Sequence, residues 1–97
     1  MDFLKKYIST NTIEQLKENY SKEILFNFIC NDKNIVEVIK YFQSLNITNI
    51  EKIMLNNLNI FITDIDEIKS KFNNYNQQEL ANFISQDVNN IDLIWNE

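Results

Sequence analysis

Few side chains in this sequence combine a reactive type with a useful spacing, and the thiol comes first. Cys30 is followed closely by Asp32 and Lys33. A thiol becomes a nucleophile when a base or cation lowers its pKa, and the sequence has no His to act as that base. Cys30 therefore reads as a packed core residue beside Phe28 and Ile29. With no second Cys, no intrachain disulfide forms. Ser21-Lys22 is the other nucleophile-and-base pair, and Ser21 ahead of Glu23 and Ile24 reads more simply as a helix N-cap. A metal would need converging acids, of which Asp64, Asp66 and Glu67 are the densest group. A calcium loop of the EF-hand kind also needs a turn Gly and a closing Glu, whereas acids alone in a first helical turn favour the helix dipole. Glu14 and Glu18, four apart, read as one solvated helix face. The expectation is a chain with no catalytic site, no metal and no cofactor, hence not an enzyme.

Recognition is the remaining class. Phosphate and base readout leans on Arg forks and a basic stripe. The chain has no Arg, and its 14 acids outweigh 9 Lys to give a net charge of −5. Lys5, Lys6, Lys17 and Lys22 gather near the N-terminal end with Tyr7 and Tyr20, but Asp2, Glu14, Glu18 and Glu23 neutralise them. Residues 73–97 carry Glu79, Asp87, Asp92 and Glu97 with no Lys. Trp95 lies in this acidic stretch, where a large aromatic either packs back on Ile91 and Ile94 or anchors a partner. Trp95, Asp87 and Asp92 are thus the candidate partner-binding residues. The reading is an acidic protein-interaction module that binds a basic partner protein; the alternative is a nucleic-acid-binding module that uses the N-terminal lysines.

The elements that must position these residues are helices. A chain of 97 residues fits one domain with one core, and 44% hydrophobic content is enough to build it. The sequence contains no Gly and no Pro, so tight hairpins are disfavoured and helix ends fall to Asn, which tolerates the left-handed region. Seventeen Asn and sixteen Ile against one Ala match the codon usage of an AT-rich bacterial genome. Apolar steps of three and four predict an all-α array of about eight short helices over residues 3–8, 12–19, 22–30, 34–45, 49–56, 64–73, 77–86 and 90–95. Asn11 before Glu14, Thr48 before Glu51, Thr63 before Asp66 and Asn76 before Glu79 have capping-box spacing. The pairs Asn56-Asn57, Asn73-Asn74 and Asn89-Asn90 read as helix ends. Leu58 to Ile62 is apolar and β-branched but has no partner strand, and reads as a buried connector or a single 3₁₀ turn. No signal-peptide core and no membrane-length apolar run is present, so a cytoplasmic chain is expected.

A shift of 30 residues places Leu45, Asn46, Ile50, Ile53, Met54, Leu58 and Phe61 on Tyr75, Asn76, Leu80, Phe83, Ile84, Val88 and Ile91, a faint internal repeat. The run Tyr41 to Ile47, then Ile50 to Leu55, Leu58 to Phe61 and Asp66 to Phe72 resembles the helical repeats of the mitochondrial transcription termination factor family. The resemblance spans residues 35–93 and implies stacked helix units and, by the family's role, nucleic-acid binding. The family's connector carries a Leu-Pro pair where this chain has Leu58-Asn59, and its binding surface is basic.

Overall fold

The computed structural model describes residues 2–95, with side chains over residues 2–94. The order among them is a 3₁₀ helix over Asp2–Lys6, then α1 Thr10–Asn19, α2 Lys22–Cys30, α3 Asp32–Ser44, α4 Ile50–Asn56, α5 Asn59–Ile62, α6 Ile65–Phe72, α7 Gln77–Gln86 and α8 Asn90–Trp95. The chain is all-α, and no strand occurs among the described residues. The connector at Leu58 to Ile62 is indeed buried at Leu58, Ile60 and Phe61, but its centre is one α-turn rather than a 3₁₀ turn. Bonds to the third residue back bracket that turn, from Phe61 N–H to Leu58 O at 3.1 Å and from Thr63 N–H to Ile60 O at 3.2 Å.

The core forms because α3 carries an unbroken apolar stripe. Ile35, Val38, Ile39 and Phe42 recur at three- and four-residue steps, and all four are fully buried. Two later helices, α5 and α6, pack on α3, while α1 packs on α4 and α7 on α8. Phe42 lies at the centre. Its ring stacks on Phe72 at 5.7 Å between centroids and meets Phe61 edge-on at 5.7 Å, so three helices share one aromatic contact set. Buried residues from Leu4 to Ile94 belong to a single cluster.

With Gly absent, one Asn among the described residues takes the left-handed conformation. Asn46, at φ 63°, follows α3. Its N–H donates to Gln43 O at 3.0 Å, and Ile47 N–H donates to Phe42 O at 3.1 Å, the paired bonds of a Schellman ending. Asn57 and Asn73 cap α4 and α6 without a positive φ. The Asn89-Asn90 pair does not end a helix; it opens α8, because α7 already stops at Gln86.

Of the four capping-box spacings, the one at Asn76 is formed: its Oδ1 accepts from the N–H of Gln78 and of Glu79, each at 3.1 Å. At the other three spacings the helix starts on a neighbouring residue. Ser9 rather than Asn11 caps α1, accepting from Thr12 N–H at 3.3 Å. Thr63 donates its hydroxyl to Asn59 O at 2.9 Å, leaving Asp64 to cap α6 by accepting from Asp66 N–H at 2.8 Å. At α4, Asn49 spends its amide on Ile84 O in α7 at 2.9 Å, and Glu51 reaches across to accept from Ser9 N–H at 2.7 Å. Ser21 caps α2 as the sequence indicates, accepting from Ile24 N–H at 3.3 Å.

The Glu51 contact clamps α1 to α4 and makes that joint pH-sensitive. Burial pushes the carboxyl upward, but the Ser9 N–H and the Ser9 and Thr12 hydroxyls outweigh it, and its pKa lies below the ordinary glutamate value. A folded-state pKa lowered in this way contributes stability above the unfolded-state pKa and loses it as pH falls through the folded-state value. Glu51→Gln should cost about 1 kcal/mol at neutral pH, a modest figure because the carboxylate is partly solvated. The gap between variant and parent in urea midpoint should narrow as pH falls below the ordinary glutamate range; a gap that stays constant through the acid range would assign the loss to packing instead.

Cys30 corrects the sequence reading. It is exposed, as are Ile24, Phe26 and Ile29. Helix α2 turns Phe28 inward, and Cys30, two residues on, points about 200° away around the helix.

Candidate functional site

The residues that could receive a partner lie on the C-terminal pair of helices. Helix α7 buries Leu80, Ala81 and Ile84, which leaves Phe83 at the edge of that stripe and 38% exposed. Helix α8 buries Ile91 and Ile94 and leaves Leu93 60% exposed. Between them runs an open apolar groove of about 700 Å³, lined by Tyr75, Asn76, Glu79, Leu80, Phe83, Leu93 and Ile94. Two polar contacts hold α8 in place to form it. Asn90 Nδ2 donates to Phe83 O at 2.7 Å, and Asn57 Nδ2 donates to Asp92 Oδ1 at 2.9 Å from the α4–α5 link.

The three residues singled out from the sequence have different places. Asp87 is exposed in the turn before α8, and its Oδ1 accepts from Asn89 N–H at 2.9 Å. Asp92 is half-buried and engaged with Asn57. Neither carboxylate lines the groove. Trp95 ends α8, and its side chain lies outside the described residues. The acid at the groove itself is Glu79, which the sequence reading counted in a cap and among the acids of this stretch but did not single out for partner binding. Phe83 was legible as one apolar residue too many: Leu80, Phe83 and Ile84 exceed what one narrow contact stripe takes. Leu93 beside Ile91 and Ile94 repeats that signal.

The surface around the groove is negative. Over residues 73–94 the charged side chains are Glu79, Asp87 and Asp92, all acids. Lys71 approaches the far end, where it lines a second hollow with Asn74, Tyr75 and Ile94. At the opposite end of the chain two of the four lysines are paired. Lys5 pairs with Asp2 at 3.2 Å and holds that carboxyl below its usual range, and Lys17 pairs with Glu14 at 3.8 Å.

Among the described residues, no three acid or thiol side chains converge as metal ligands. Asp64 is occupied as the α6 cap, while Asp66 and Glu67 occupy the first turn of that helix. No helix there is long and apolar enough to cross a membrane.

Comparison with protein-family models, curated proteins and solved structures finds no match to this chain. Residue chemistry and geometry therefore carry the functional reading.

Proposed function

We propose that this chain is a non-enzymatic protein-interaction module that receives an amphipathic, Lys- or Arg-bearing helix of a basic partner in the groove between α7 and α8. The observation that carries the reading is the coincidence of the groove with the lysine-free stretch of the chain. A helix laid in a groove inserts apolar anchors spaced three or four apart and leaves its flanks outside. Here Phe83, Leu93 and Tyr75 would meet the anchors. Glu79 at the wall, with Asp87 and Asp92 beyond it, would favour cationic flanks and speed encounter. Pairing of Lys5 and Lys17 with their own acids supports a protein partner over a nucleic-acid one, because neutralised lysines release few phosphate counterions.

The test uses a synthetic amphipathic helix with Leu and Phe on one face and Lys on the other, and a counterpart with Glu in place of Lys. Nuclear magnetic resonance titration should show the Lys peptide binding and moving amides of α7 and α8. Phe83→Ser should weaken it about tenfold, and Glu79→Lys should weaken it by a similar factor. Equal binding of the Glu peptide, or binding untouched by Phe83→Ser, would overturn the reading. Salt-sensitive capture of labelled DNA or RNA at about 50 mM salt would replace it with the nucleic-acid alternative.

A further inference from the structure

The faint repeat at 30 residues has a structural counterpart. That shift carries residues 35–42 of α3 onto α6, residues 50–56 of α4 onto 80–86 of α7, and α5 onto the start of α8. Val38, Phe42 and Phe61 fall on Ile68, Phe72 and Ile91, and all six are buried. Helices α3–α5 and α6–α8 are thus two related three-helix units.

One row of side chains has different surroundings in the two units. In the first, Asn49, Ile53 and Asn57 recur every four residues along α4 and its caps, and the second unit covers them. Asn49 Nδ2 donates to Ile84 O in α7 at 2.9 Å, Asn57 Nδ2 donates to Asp92 Oδ1 in α8 at 2.9 Å, and Ile53 between them is fully buried. The same row in the second unit is Glu79, Phe83 and Asp87, and all three are exposed. The wall of the α7–α8 groove is therefore the second unit's version of a face that the first unit buries.

The polar ends of the row have inverted their chemistry. Asn49 and Asn57 give hydrogens to a carbonyl and a carboxylate, whereas ionised Glu79 and Asp87 only accept. A unit set on the second row as α7–α8 is set on the first must offer donors instead. Lys or Arg at two points about 12 Å apart, the rise over eight helical residues, supplies them. A second copy of this chain does not. Its α7 and α8 present a carbonyl and Asp92, and α4 already engages both. The first-unit positions related to Ile84, Ser85 and Asp92 are Met54, Leu55 and Ile62, and the N-terminal helices cover that face. Helix α1 packs on α4, Leu55 O accepts from Tyr20 O–H at 2.9 Å, and Ile62 lines a cleft with Tyr20 and Ile24.

We infer that the groove's partner is a helical hairpin of another protein, docked as α7–α8 docks on α4, with a cation on its first helix against Glu79 and a second cation on its second helix against Asp87. This rests on the groove reading proposed above and deepens it: the occupant is two helices in a fixed register, with two charges at a set spacing.

The test fuses a probe to the C-terminus of the full chain through a flexible Gly/Ser linker of about 20 residues, which presents it at roughly millimolar effective concentration. The probe is a copy of residues 77–95 with Ser85→Lys and Asp92→Lys. Those positions are chosen because Ser85 Oγ accepts from Thr48 N–H beside Asn49 at 3.4 Å, and Asp92 meets Asn57. Hydrogen exchange reads docking, since so short a hairpin leaves its amides unprotected when free. The Lys copy should exchange at least about tenfold more slowly than an unmodified copy, and more slowly by a similar factor than a Lys-bearing copy of residues 77–86 alone. Glu79→Asn with Asp87→Asn in the receiving chain should reverse the preference, protecting the unmodified copy and releasing the Lys copy. Equal protection of the single helix and the hairpin would overturn the inference, as would equal protection of the two hairpins or no reversal in the Asn variant. An unprotected Lys hairpin beside a groove that still binds the free Lys helix would remove the inference and leave the groove reading standing; loss of both would remove both.

Discussion

Phe42→Ala should lower the unfolding free energy by about 4 kcal/mol, the largest loss expected from any single change in this chain. Its ring is fully buried, stacks on Phe72 at 10° between planes and meets Phe61 near-perpendicularly at 72°. Truncation thus removes the transfer free energy of the ring, opens a cavity where α3, α5 and α6 meet, and deletes both aromatic pairs between helices together. Domains of this size have roughly 5–15 kcal/mol of total stability, so the variant would lie near the edge of folding. Urea unfolding should show the midpoint falling by about 2 M with little change in slope. Thermal melting should shift by about 20 °C. Phe26→Ala is the matched control, because its ring is mostly exposed, and it should change stability by less than about 0.5 kcal/mol. If the two changes had equal effects, the ring lattice would not be the centre of the core.

The contrast between these two phenylalanines shows how far the sequence could be read. Ile35, Val38, Ile39 and Phe42 announced both a helix and its buried face, since one stripe of fixed spacing has one inward solution. Helix α2 offered too many apolar residues for that logic. Ile24, Leu25, Phe28 and Ile29 fit a helical stripe, yet Phe28 is the one that becomes fully buried. Which apolar residues are surplus depends on the neighbours of the helix, and local spacing does not contain that information. Cys30 was misplaced for the same reason.

Capping residues failed in a different way. Asn76 kept its local role because nothing distant competes for its oxygen. Thr63 and Glu51 had the right spacing but found other partners, Thr63 the carbonyl of Asn59 and Glu51 the N–H of Ser9 ahead of α1. The asparagines show this most clearly. Of the seventeen, Asn34, Asn49, Asn57 and Asn90 each send a side-chain amide to a different structural element. An amide carries both a donor and an acceptor without charge, so in a chain lacking Arg and His it is the most available group for joining short helices through backbone atoms.

The candidate site was legible in its charge and less so in its shape. The acidic C-terminal stretch could be counted directly, and it does coincide with the groove. The groove itself depends on Asn90 and Asn57 fixing α8, contacts that span 7 and 35 residues. Asp87 and Asp92 drew attention through their charge, whereas their closest engagements are a turn and a tether. The residues presented for contact are Phe83 and Leu93, which a sequence pattern assigns to the core along with their neighbours.

Among the amide tethers, Asn34 should be the costliest to alter, and Asn34→Asp isolates the reason. From the first turn of α3 its Nδ2 donates to Thr63 O at 2.6 Å and to Phe61 O at 3.2 Å, while its Oδ1 accepts from Ile65 N–H at 3.0 Å. One side chain thereby holds the corner between α5 and α6 against α3. A carboxylate has nearly the same shape and can still accept from Ile65, but it has no hydrogen for either carbonyl and sets negative charge against both. The expected loss at neutral pH is about 3 kcal/mol, from two part-buried carbonyls left without a donor and the repulsion added. The introduced carboxyl should titrate above its usual range in the folded state, because its neutral form regains one O–H donor. Its deficit relative to the parent should therefore shrink as pH falls through that raised pKa. Urea unfolding of both proteins between about pH 7 and pH 4 gives the difference directly, and amide exchange at Ile65 reports whether the corner has opened. A deficit independent of pH would mean that bulk or backbone fit, rather than the donated hydrogens, holds α5 and α6 to α3.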